Sequence, residues 1–100
     1  MLATSCKKQV TKTKSTEVFV RHERLHVKCH IPRNIHNLFS LRVELLIWRG
    51  ETFYSIKSTS KFSEWGRLHL RTAINAKYIT KVTVIIAGEF GHYTEETHYL

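Results

Sequence analysis

The stretch YITKVTVIIAGEFGHYTEETHYL, residues 78–100, decides the fold. Tyr78, Thr80, Val82, Val84 and Ile86 fall on one side of an extended chain, and Ile79, Lys81, Thr83, Ile85 and Ala87 on the other. β-Branched residues dominate, and both sides turn apolar toward Ala87, which predicts a central strand with cover on each face. Gly88 and Gly91 bracket a reversal, and residues 92–98 read as a polar return strand. The chain therefore ends in a hairpin.

The same period runs upstream. In residues 65–74, Leu68, Leu70 and Thr72 point inward while Arg67, His69 and Arg71 point out. Residues 59–64 are Ser-rich and read as a loop. Residues 52–58 form a return strand, with Phe53, Ser55 and Lys57 on one face and Tyr54 and Ile56 on the other. Gly50-Glu51 joins it to residues 40–49. There Leu41, Glu44, Leu45 and Trp48 also suit a helix face, but Leu41, Val43, Leu45 and Ile47 alternate with Arg42 and Glu44, and strands on either side favour a hairpin.

Residues 25–31 show the cleanest alternation, Leu25, Val27, Cys29 and Ile31 against His26, Lys28 and His30, closed by Pro32. Residues 33–37 are a loop. Residues 16–20 form the first core strand and residues 21–24 a polar turn. Residues 1–15 carry Lys7, Lys8, Lys12 and Lys14 with little apolar anchorage, and read as a basic arm, mobile or lying on a sheet edge, ahead of a single domain over residues 16–100. Seven strands about ten residues apart predict an all-β, antiparallel, immunoglobulin-like sandwich.

One hundred residues make one domain. Sixteen Lys plus Arg against eight Asp plus Glu give a net charge of +8, a field that attracts phosphate, sulfate, anionic lipid or acidic protein, and that also keeps sheet edges soluble and unpaired. No window is apolar for long enough to span a bilayer, and residues 1–8 have no apolar core like that of a signal peptide. The chain as given is expected to be soluble, with its compartment open. Cys6 and Cys29 are too few for a disulfide framework and are expected as free thiols, with a single bridge between them as the alternative.

Three segments resemble a fibronectin type III domain. Residues 16–32 look like that family's first two strands, residues 40–50 like its third strand and hairpin, and residues 78–96, with a Tyr opening a Val-rich strand before a Gly-aromatic-Gly turn, like its sixth and seventh. The resemblance implies a sandwich acting as an interaction module or spacer. It also implies that the Tyr78 hydroxyl bonds to backbone near Thr72 or Ala73 as a corner.

The chemistry-bearing residues do not assemble into a catalytic or metal pattern. His22, His26 and His30 recur every fourth residue, but on a strand His26 and His30 lie about 13 Å apart, too far to share one tetrahedral ion. The Cys29 thiol points to the core while the imidazoles point to solvent, and Glu95 and Glu96 fall on opposite faces. Neither a Gly-rich phosphate loop nor a hydrolase motif is present. No enzyme activity, metal or cofactor is expected.

Two binding readings follow. In the first, the sandwich recognises a protein partner, or another copy of itself, through loops and a sheet edge, using Arg33, His36, Phe90 and His92. Phe90 is the best contact candidate, since the hairpin tip offers little to cover it, whereas Trp48 and Trp65 each have an alternative place between the sheets. In the second, Lys7, Lys8, Lys12, Lys14, Arg21 and Arg24 join Lys28, Arg67 and Arg71 to bind a polyanion, either nucleic acid or sulfated glycan. That face exists only if the strands over residues 25–31 and 65–74 are neighbours. Its histidines, His26, His30 and His69, would add charge below pH ~6.5.

Overall fold

The computed structural model describes residues 10–31, 41–58, 60–63, 65–88 and 91–100, and for residues 91–93 the backbone alone. All described secondary structure is strand: β1 (Val10–Lys12), β2 (Thr16–Arg21), β3 (Arg24–His30), β4 (Arg42–Arg49), β5 (Thr52–Lys57), β6 (Arg67–Asn75), β7 (Ile79–Gly88) and β8 (Gly91–Tyr99). They form two antiparallel four-stranded sheets, ordered β1-β2-β3-β6 and β5-β4-β7-β8. The described strands number eight where the sequence predicts seven.

Each strand of the first sheet sends one set of alternate residues inward. Val18 from β2 and Leu25, Val27 and Cys29 from β3 meet Val43, Leu45 and Ile47 from β4 and Val82, Val84 and Ile86 from β7 in one apolar cluster shared by both sheets. Sharing one core between two sheets is the arrangement of a β-sandwich. The Cys29 thiol is free and 2% exposed, and burial, with the Glu96 charge second, pushes it up to about 12. No described helix is long and apolar enough to cross a membrane.

The extra strand lies in the segment expected to form a basic arm. Val10–Lys12 pairs with β2, Thr11 against Val18 and Lys12 against Glu17, so this part is structured; Lys7 and Lys8 lie outside the described residues. A polar clamp holds it to β8 of the other sheet. The Glu96 carboxylate accepts the Ser15 amide at 3.1 Å, the Thr16 hydroxyl at 2.8 Å, the Thr94 hydroxyl at 3.2 Å and the Thr13 hydroxyl. Beside it His98, 1% exposed, meets Thr16 Oγ1 through Nε2 at 2.7 Å and Thr11 Oγ1 through Nδ1. Burial pushes the Glu96 carboxyl up, but its hydrogen bonds from Thr13, Thr16, Ser15 and Thr94 outweigh that and hold it below the usual carboxylate range. Burial lowers the His98 pKa, with the Glu96 charge partly opposing it. Polar groups removed from water need partners, and each sheet supplies the other's.

Three further expectations are corrected. Tyr78 is no corner residue: it sits in the turn before β7 with φ 70°, 72% exposed, with the Lys77 ammonium 5.1 Å from its ring centroid. A register shift between Trp48 and Arg49 breaks the alternation at Thr80, so Ile79 joins the core with Val82, Val84 and Ile86. Neither Trp lies between the sheets. Trp48 packs on the outer face of the second sheet, against Phe53 and under Lys81, and Trp65 is about half exposed. The large aromatic of the core is Phe62, from the Ser-rich loop.

Candidate functional site

Residues that leave the core on β2, β3 and β6 collect on the outer face of the first sheet. β3 and β6 are neighbours, the condition on which the basic face depends, and their register sets His26 opposite Arg71, Lys28 opposite His69 and His30 opposite Arg67. Each of these three rungs pairs one permanent cation with one imidazole, and the cation alternates between the two strands; beyond a register shift, Arg24 stands opposite Asn75. β2 adds Phe19 opposite His26, Glu17 opposite Lys28 and Arg21 opposite Arg24, and β1 adds Lys12 opposite Glu17. Among the described residues the face thus carries Lys12, Arg21, Arg24, Lys28, Arg67 and Arg71, all exposed, against the one carboxylate of Glu17.

Residues on one strand of this face stand about 7 Å apart and cross-strand partners about 5 Å apart. Arg24 to His30 spans six residue steps, so the stripe is about 20 Å long. Phe19 lies beneath the side chains at its centre. The His26 ring stacks on it with centroids 5.0 Å apart and an interplanar angle of 18°, and His69 tilts against both rings. The Lys28 ammonium lies 5.3 Å and the Arg21 guanidinium 5.8 Å from the Phe19 centroid. The negative face of the ring holds two cations near each other that would otherwise separate, a contact worth about 0.5–1 kcal/mol at such sites.

His26 Nδ1 and His69 Nε2 are 3.1 Å apart. Burial lowers both imidazole pKa values, and cations lower them further: Arg21, Arg71, His22 and Lys28 act on His26, and Arg71, His26, Lys28 and Arg21 on His69. In the free protein both rings are therefore biased toward neutrality. One end of the face deepens into an open groove of about 590 Å³, whose lining includes Lys12, Lys14, Lys28, His30, Ser63 and Arg67 together with the Glu17 carboxylate. Hydroxyl donors and ammonium or guanidinium groups around one concavity are what an oxyanion needs.

The sequence-derived site residues divide accordingly. Lys12, Arg21, Arg24, Lys28, Arg67 and Arg71 share the face, and Lys14 stands at its groove. Lys7, Lys8, Arg33, His36 and Phe90 lie outside the described residues, as does the His92 side chain, although the His92 backbone pairs with Ala87. Phe19, Glu17 and Ser63 are participants that the sequence reading passed over. The alternation of Val18 and Val20 with Phe19 already put that ring on the outer side.

Among the described residues no group of three or more His, Cys, Asp or Glu side chains is placed to hold a metal ion. Thr16, His98 and Glu96 are adjacent but are not ordered as a nucleophile relay: Thr16 meets both of the others, while His98 Nδ1 turns to Thr11. No model of a known protein family matches the chain, nor does any curated protein or solved structure.

Proposed function

We propose that this chain is a non-catalytic, immunoglobulin-like sandwich module that binds a polyanion along the β3–β6 ladder. The strand neighbourhoods support the immunoglobulin-like part. Taking β2 as strand A, the sets β2-β3-β6 and β5-β4-β7-β8 follow the A-B-E and C′-C-F-G order of that scheme, with β1 added outside. One observation carries the binding part: the register that interleaves Arg67, Lys28 and Arg71 with three imidazoles on one solvent-facing ladder.

Among the described residues of the face the one Phe, Tyr or Trp ring is Phe19, and it is only 9% exposed, which leaves little surface on which a base could stack. Recognition therefore falls on sulfate or phosphate oxyanions and their spacing. About five neutralised phosphates on an oligo-dT probe give a log-log salt slope of about −3 to −4. The experiment is fluorescence anisotropy with labelled oligo-dT and labelled heparin fragments in parallel arms, from 50 to 300 mM salt. The double variant Arg67→Glu, Arg71→Glu should lower affinity for both at least ten-fold while the circular dichroism spectrum stays unchanged. Affinity flat in salt, or indifferent to that double variant, overturns the proposal, and the better-bound arm identifies the polyanion.

A further inference from the structure

The two lateral sides of the sandwich differ. On one, the Glu96 and His98 clamp ties β8 to the β1–β2 segment. On the other, β6 and β5 are each the last strand of their sheet. Between them runs a groove of about 440 Å³, floored by Leu45, Ile56, Leu70 and Ile74, of which the last three are only partly buried.

The backbone of β6 is open toward that side. The His30 amide donates to Ser15 O at 2.8 Å, so the backbone groups of His30 face β2, and those of its partner Arg67 face away from β3. Accordingly Arg67 is met from outside, its carbonyl accepting the Ser63 amide at 2.9 Å and its own amide donating to Ser63 Oγ at 3.2 Å. At the far end the Asn75 carbonyl accepts the Arg49 guanidinium at 2.7 Å. Between these two caps the next outward rungs, His69 and Arg71, have no backbone partner among the described residues.

We propose that this edge takes an extended peptide segment as a further strand of the first sheet, with acidic residues at its outward positions alternating with apolar residues turned into the groove. Backbone pairing supplies the attachment, and the alternate side chains supply the choice of partner. Arg67 and Arg71 stand outward on the strand that the peptide would join, so carboxylates at cross-strand positions face guanidinium groups. Inward residues cover the exposed parts of Leu70, Ile74 and Ile56, which water now touches.

The same charges argue against a second copy on this edge. Antiparallel β6–β6 pairing centred on His69 sets Arg67 against Arg71, and centring on Arg71 sets it against itself. The proposal does not rest on the polyanion reading, because it depends on backbone rungs that a polyanion would not occupy.

The test uses the intact chain and an acetylated, amidated ten-residue peptide of alternating Glu and Val. Amide hydrogen exchange is read by NMR, with a second peptide N-methylated at every other residue as control. The amides of His69 and Arg71 should exchange at least ten-fold more slowly with the first peptide and unchanged with the second. Arg71→Glu should abolish the effect, and a Lys-for-Glu peptide should restore it on that variant. Unaltered exchange, equal protection by the methylated peptide, or a peptide-free dimer that already protects these amides overturns the proposal.

Discussion

Gly66→Ala, set beside Gly50→Ala, tests how β6 is anchored to β3. Both glycines have left-handed φ, 76° at Gly66 and 62° at Gly50. Both alanines therefore carry the left-handed penalty, about 1–2 kcal/mol. They differ in surroundings. A Cβ at Gly50 meets nothing within 4 Å, whereas a Cβ at Gly66 would lie 2.2 Å from the carbonyl oxygen of Ile31. That contact is with backbone, so it is relieved only by separating the two segments. Separation weakens the hydrogen bond from the Ile31 amide to the Gly66 carbonyl, 2.7 Å long, at about 1 kcal/mol, and loosens the fully buried Ile31 side chain. Gly66→Ala should cost about 2–4 kcal/mol, against about 1–2 for Gly50→Ala. At about 4–8 °C per kcal/mol for a domain of this size, Gly66→Ala should lower Tm by about 8–32 °C. Thermal melts followed by circular dichroism, with urea titrations to confirm ΔΔG, measure both. Equal losses would refute the close approach of Gly66 to Ile31, and with it the anchoring that sets Arg67 opposite His30.

The remaining predictions concern charge and the clamp. His26 and His69 titrate below the ordinary value of about 6.5, so the unfolded chain binds more protons than the folded one; their contribution to stability is complete above pH ~6.5 and is lost as pH falls through their folded values. A bound polyanion favours the imidazolium form and raises those pKa values, so heparin affinity should increase from pH 7.5 to 5.5 and binding should take up protons. Calorimetry in buffers of different ionisation enthalpy checks this, and a flat profile refutes the histidine part. Glu96, lowered in the folded state, contributes stability above the ordinary carboxylate range that is lost as pH falls through its folded pKa. Glu96→Ala strips the partner from Thr13, Thr16 and the Ser15 amide and should cost about 2–3 kcal/mol in urea denaturation. Phe19→Leu removes the ring beneath Lys28 and Arg21 and should weaken polyanion binding two- to five-fold with Tm lowered by only a few degrees. No change in affinity would show that the ring does not order the cations.

Most of the strands were legible because apolar and polar residues alternate with the period of the pleat. Leu25, Val27 and Cys29 went inward and His26, Lys28 and His30 outward as the pattern dictates. The failures fall where a local rule meets a contact distant in sequence. Val10–Lys12 has no apolar pattern of its own and becomes a strand because β2 offers a ladder and Glu96 and His98, more than 80 residues away, bond to Thr11 and Thr13. Ile79 was assigned to the wrong face because the bulge opposite Trp48 and Arg49 shifts phase by one residue, which strict alternation does not anticipate. Phe62 looked like part of a polar loop because its neighbours are Ser and Lys, yet it fills the core.

By itself the sequence determined which side chains share a face along most strands, since Cβ direction reverses at every residue wherever no bulge shifts the phase. It also determined that the chain carries an excess of cations. Only the tertiary structure decided that β3 and β6 lie side by side, with His26, Lys28 and His30 set rung by rung against Arg71, His69 and Arg67. Strand order and register depend on hydrogen bonds between segments some 40 residues apart, and no local spacing encodes which of several compatible partners a strand will take.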